Sequence, residues 1–159
     1  MGITDLSCPN NALIFDEVRK QFVKSTPEEI VRQSLLQKMI HQLGYPKELI
    51  AVEKELKELP FGRESPVARR RIDIVCFAKG DSSLFPLIVI ECKRGAVDTT
   101  KALNQVIGYN YFIKAPFVAV ANERSVFLSF FDPIEQKPLF FEGLPSYHEL
   151  IFRVSHDNS

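Results

Sequence analysis

Three charged residues stand in or directly after the two most apolar runs of the chain. Asp73 interrupts Ile72, Ile74 and Val75, while Glu91 and Lys93 follow on Leu87-Ile88-Val89-Ile90. A buried charge without a partner costs several kcal/mol, so such groups need one another, a metal ion or an exposed strand end. Side chains alternate along a strand, which puts Glu91 and Lys93 on one face, roughly 6.5 to 7 Å apart, and turns Cys92 the other way. The short turn Lys79-Gly80-Asp81-Ser82-Ser83 forces the strand of Asp73 to pair with that of Glu91. Two carboxylates and a lysine then converge, and the Cys92 carbonyl adds an oxygen. That hard-oxygen set suits magnesium, with manganese as an alternative. Such an ion stabilises charge on a phosphoryl group and lowers the pKa of its bound water. Lys93 is placed to orient or deprotonate that water, since lysine pKa values shift readily on burial. The chemistry implied is phosphodiester hydrolysis. The competing reading is a structural ion-pair cluster at strand ends, because a short D…E-x-K match recurs often by chance.

The elements that must carry these residues can be read from periodicity. Thr26-Pro27-Glu28-Glu29 supplies an N-cap hydroxyl, a proline at the first helical position and a capping-box glutamate. Ile30, Val31, Leu35, Met39, Ile40 and Leu43 continue the helical spacing, and Gly44-Tyr45-Pro46 ends it, so a helix is expected over Pro27 to Leu43. Alternation from Ile50 to Leu59 predicts a strand at the rim of a sheet, and the proline-containing segment Pro60 to Val67 a loop. Arg71 to Ala78 is a further strand. Leu84 to Cys92, almost continuously apolar, is the central one. Asp98, Thr99 or Thr100 caps a second helix through Ile113, ended by Ala115-Pro116. Phe117 to Ala121 and Val126 to Phe131 are β-prone, and Ser146-Tyr147-His148-Glu149 offers a capping box for a terminal helix, with a frayed tail from His156. Residues 1–25 read as an arm packing on the body, with a short helical or strand segment at Asn11 to Val23. The order αβββαβ predicts an α/β fold, a mixed central β-sheet flanked by helices.

Length and composition narrow the function. At 159 residues, the chain is one domain without a separate motor. Twenty basic and twenty acidic residues cancel, which excludes a chromatin-type polycation and makes any phosphate affinity local. Cys8, Cys76 and Cys92 fit neither a disulfide framework nor a zinc site, and no signal pattern or long apolar run is present. A cytoplasmic protein with no membrane association is expected. His41, His148 and His156 are dispersed, so a histidine-metal site has no support.

Ile72-Asp73, a spacer of 17 residues, and Glu91-Cys92-Lys93 together resemble the PD-(D/E)xK nuclease signature. Gln105-Val106-Ile107-Gly108-Tyr109 resembles the Q-x-x-x-Y motif of RecB-like members and type I restriction enzymes. Pro27-Glu28-Glu29-Ile30-Val31-Arg32-Gln33 with Leu43-Gly44-Tyr45-Pro46 is similar to the opening of the N-terminal domain of the type I restriction enzyme R protein. The resemblance spans about Thr26 to Phe131. It implies a restriction-endonuclease-like core within residues 26–159, acting as an endonuclease on DNA. Asp73, Glu91 and the Cys92 carbonyl would hold magnesium, and Lys93 would be catalytic. Gln105 and Tyr109 would orient the site or touch DNA, and Glu29 would complete the acidic cluster. Isoleucine replaces the proline of the signature before Asp73, a common departure.

Structural roles compete for the outer residues. Glu29 already serves as a capping-box glutamate. Gln105 and Tyr109 have a spacing that any amphipathic helix provides. Between Pro60 and Lys101, eight basic residues face five acidic ones, among them Arg63, Arg69, Arg70 and Arg71, a run that is either solvated surface or a track for a phosphate backbone. R subunits join this domain to an ATP-driven translocase, whereas these 159 residues contain no G-x-x-x-x-G-K-[ST] loop. A separate translocase or specificity subunit is therefore an expected partner, and a homodimer would suit cutting of both strands. The rival class is a catalytically silent module that keeps the nuclease fold to bind nucleic acid or protein. RNA in place of DNA stays open.

Overall fold

A computed structural model describes residues 12–59, 69–96 and 98–157. Cys8, the first part of the arm, the loop expected over Pro60 to Val67 with Arg63, and the last two residues lie outside the described residues.

The arm contains a hairpin of two antiparallel strands, β1 (Leu13–Asp16) and β2 (Gln21–Lys24). Helix α1 (Pro27–His41) follows, with Thr26 as its N-cap accepting the Glu29 amide. The helix closes two residues short of the expected Leu43 because the Gln42 and Leu43 amides both bond the Lys38 carbonyl, and Gly44 turns the chain at φ +70°. That left-handed conformation is one glycine adopts without steric cost.

Strand β3 (Ile50–Glu55) ends earlier than the alternation through Leu59 suggested, since Leu56–Glu58 wind into a 3-10 turn capped by Glu55 and Glu58. Then come β4 (Arg71–Lys79), β5 (Leu84–Cys92), helix α2 (Thr99–Ile113, N-cap Asp98), β6 (Phe117–Ala121) and β7 (Val126–Asp132). An eighth strand, β8 (Lys137–Glu142), adds to the strands that the sequence pattern implies. Its stretch carries Pro138, opens beside a turn and lacks period-two burial, which masks it in the sequence. Helix α3 (Tyr147–Asp157) starts from the expected box, with the Ser146 amide donating to Glu149 and the Glu149 amide to Ser146. It runs through His156, where fraying was expected; His156 Nδ1 lies 2.8 Å from the Phe152 carbonyl, one turn back.

The main sheet has six strands in the order β3-β4-β5-β6-β7-β8, with β5 and β6 parallel and every other pair antiparallel. Helix α2 makes the parallel connection, as a crossover must. Ile72, Ile74, Val75 and Cys76 of β4, Leu87 to Ile90 of β5 and all of β6 are buried. Burial of successive residues means both faces of the central strands are covered. Helix α1 supplies Val31, Leu35, Leu36 and Met39 to this core, and α2 supplies Leu103, Val106 and Ile113. The result is the α/β layer with a mixed sheet that the element order implies. Among the described residues no helix is long and apolar enough to cross a membrane.

Candidate active site

The site begins where β4 enters the sheet and β5 leaves it. Ile74 pairs with Ile90, so the residues one step outward, Asp73 and Glu91, stand at neighbouring positions. Asp73 is buried at 5% exposure, and its Oδ2 accepts the Cys92 amide at 2.7 Å. Lys93 follows β5 directly. Its backbone amide donates to the Ala121 carbonyl at 2.7 Å, and its Nζ lies 3.9 Å from Glu91 Oε1. Two residues on, the β6–β7 turn holds the chain: both Glu123 carboxylate oxygens accept the Gly95 amide, and the Asn122 side-chain amide donates to the Gly95 carbonyl.

Tyr109 on α2 is buried and donates its hydroxyl to Glu91 Oε2 at 2.9 Å. Arg70, just before β4, lies over the Tyr109 ring at 5.0 Å and 3.8 Å from Glu91 Oε1. Burial first, and the Asp73 anion second, push the Glu91 carboxyl up to about 7. Burial, then the Glu91 charge, hold the Tyr109 hydroxyl well above its ordinary range, which keeps it a proton donor. The Cys92 thiol is driven up by burial and faces away as an inert apolar group. The cluster stays reachable from solvent, since the Lys93 side chain is 34% exposed and that of Arg70 44%.

A second group of charges meets Asp73 from α1 and β3. Arg32, 4% exposed, donates to Asp73 Oδ1 at 2.7 Å, to Glu53 Oε1 at 2.8 Å and to Glu29. Glu29 also accepts from Arg19 and from the Gln33 amide at 3.0 Å. Arg19 and Gln33 in turn hold Asp16, the fully buried residue that ends β1. Glu53 takes φ +54° between two residues paired to β4, and burial, ahead of the opposing pull of Arg32, raises its carboxyl pKa.

Asp73, Glu91, Lys93 and Tyr109 are thus brought together. Glu29 joins them only through Arg32. Gln105 is exposed, one turn before Tyr109. Sequence reasoning passed over Arg32 and Glu53. Arg32 follows Glu29 by three residues and sits inside the apolar run of α1, which is the signal for a buried arginine. Glu53 gave none, because its aim depends on a local backbone turn inside β3. The donor set of Asp73, Glu91 and the Cys92 carbonyl has the chemistry a hard divalent cation needs. No three His, Cys, Asp or Glu side chains among the described residues are already gathered as metal ligands, since Arg32 occupies the middle of the acidic group.

The family model of the Type I restriction enzyme R protein N terminus matches residues 27–145. The chain belongs to this family. Its membership sets it in a restriction-modification, nuclease-related context. The matched span of this R protein N terminus begins at α1 and includes every charged residue of the site except Arg19 and Asp16 of the hairpin. No curated protein and no solved structure matches the chain.

Proposed function

We propose that the chain is a metal-dependent nuclease domain of the PD-(D/E)xK type that hydrolyses DNA phosphodiester bonds. The convergence of Asp73, Glu91 and Lys93 at the ends of β4 and β5 carries this reading, in a chain of the R protein N-terminal family. Residues 26–159 are the catalytic unit in this proposal and residues 1–25 its arm. Asp73, Glu91 and the Cys92 carbonyl would hold magnesium or manganese. Bound there, the ion would supply Lewis acidity toward the scissile phosphate. Lys93 Nζ, beside Glu91, orients the attacking water or, as the free amine, takes its proton to become the ammonium. Tyr109 fixes the Glu91 carboxylate by its hydroxyl bond and seats Arg70 through its ring. Arg70, half exposed, would leave Glu91 to meet a phosphate, and Gln105 is assigned to contact the nucleic acid. Glu29 acts through Arg32, whose position it holds. A separate translocase or specificity subunit would deliver the DNA in the cytoplasm, and pairing of two copies would allow cutting of both strands.

Supercoiled plasmid should be nicked by the purified chain with magnesium or manganese and left intact in chelator. Lys93→Ala should lower the rate by about 10²- to 10⁴-fold without moving the melting transition. Full activity in that variant removes Lys93 from the mechanism, and cleavage of RNA in place of DNA changes the substrate while keeping the chemistry.

One observation favours a catalytically silent module that binds nucleic acid or protein: both Asp73 oxygens already accept hydrogen bonds, from Arg32 and from the Cys92 amide. Magnesium calorimetry separates the two readings. The enzyme has a binding site that Asp73→Asn abolishes, and the silent module has none.

A further inference from the structure

We propose that Arg32 is a resident counter-cation of the acidic site, which stabilises the metal-free fold and lowers the affinity of Asp73 for a divalent ion. The inference rests on the reading of Asp73 as a metal ligand. Burying a guanidinium is costly unless its charge is paired. Arg32 is almost fully enclosed, and its two terminal nitrogens are shared among Glu29, Glu53 and Asp73, with Glu28 3.9 Å away. Its Nε is buried without a hydrogen-bond partner. An arginine placed only to brace α1 against the sheet would be expected to satisfy that donor as well. Arg32 gives it up in order to reach three carboxylates at once.

The surroundings are built to hold it. Glu29 is clamped from its other side by Arg19 and Gln33, both of which also hold the buried Asp16 of the hairpin. Glu53 reaches Arg32 by adopting a positive φ, a conformation strained for a residue with a Cβ. Asp16, Glu29, Glu53 and Asp73 meet three guanidiniums, those of Arg19, Arg32 and Arg71, the last 3.4 Å from Glu53 Oε2, and Glu91 lies beside them with its own cations Arg70 and Lys93. Four carboxyl groups against three guanidiniums leave the acidic groups in slight excess, yet the guanidinium on Asp73 Oδ1 repels any cation approaching that carboxylate. Binding a divalent ion therefore requires Arg32 to slacken its hold on Asp73 and shift toward Glu29 and Glu53.

Manganese calorimetry on the full chain compares the wild type, Arg32→Gln and Asp73→Asn, with thermal melts in chelator and in manganese. Arg32→Gln should bind manganese at least about tenfold more tightly than the wild type. It should melt lower in chelator and gain more from the ion. Equal or weaker binding by Arg32→Gln, with wild-type binding that Asp73→Asn removes, overturns the inference and leaves the metal site standing. Binding by neither protein overturns both. Should Arg32→Gln fail to fold, the buried Arg32 Nε–H resonance of the wild type, assigned through Arg32→Lys, provides the readout. Magnesium should shift it in step with saturation, and an unmoved resonance under saturating ion overturns the inference.

Discussion

Asp73 and Glu91 arrive at one place from adjacent strands but in different company. Asp73 is met by a guanidinium and a backbone amide, whereas Glu91 has a tyrosine hydroxyl and two cations at 3.8 and 3.9 Å. Burial therefore dominates at Glu91, and its carboxyl is raised from 4.5 to about 7. Between those values the folded chain binds more protons than the unfolded one. The Glu91 contribution to stability is full below about 4.5 and is lost as pH rises through about 7. In chelator, the stability of the wild type relative to Glu91→Gln should fall across that interval when followed by urea denaturation. A difference that does not vary with pH would contradict the burial of Glu91 beside Asp73. The alternation of Asp73, Glu91 and Lys93 in apolar strands was legible because strand geometry has a fixed period. The burial of Arg32 had a signal in the apolar run of α1, but its partners did not, because a helix residue declares them only when the sheet it packs on is known.

At the scale of elements, the strongest local signals matched best. The Thr26-Pro27-Glu28-Glu29 start, the β5 run from Leu84 to Cys92 and the Ser146 to Glu149 box each combine a composition cue with a hydrogen-bonding reason, and each stands where it was expected. Elements set by pairing were harder to see. β8 depends on β7 beside it, and the hairpin of the arm left helix and strand both open until β1 found β2. Helix α1 carries Glu29 and Arg32 to the site, and just past its end Gly44 turns the chain in the left-handed region with nothing near its missing Cβ. Gly44→Ala should therefore cost about 1 to 2 kcal/mol through backbone strain alone, while Gly44→Asn costs less. Equal losses in the two variants, measured by thermal unfolding, would point to packing instead.

For the whole molecule, zero net charge leaves no net monopole, so in the proposed nuclease the attraction of a polynucleotide falls to local cations, Arg70 and Lys93 among them. The αβββαβ order was readable because the helix and strand periods differ, and it brings the start of β4, the end of β5 and Tyr109 of α2 together. The acidic group that gathers there, closed around Arg32, is a property of the assembled fold. Its proposed role as a metal centre is tested most directly by anomalous diffraction from crystals of the full chain grown with manganese. The expected result is a peak within ligand distance of the Asp73 and Glu91 carboxylates and the Cys92 carbonyl. Saturating manganese with no peak at those oxygens, and with Arg32 still seated on Asp73, would contradict it.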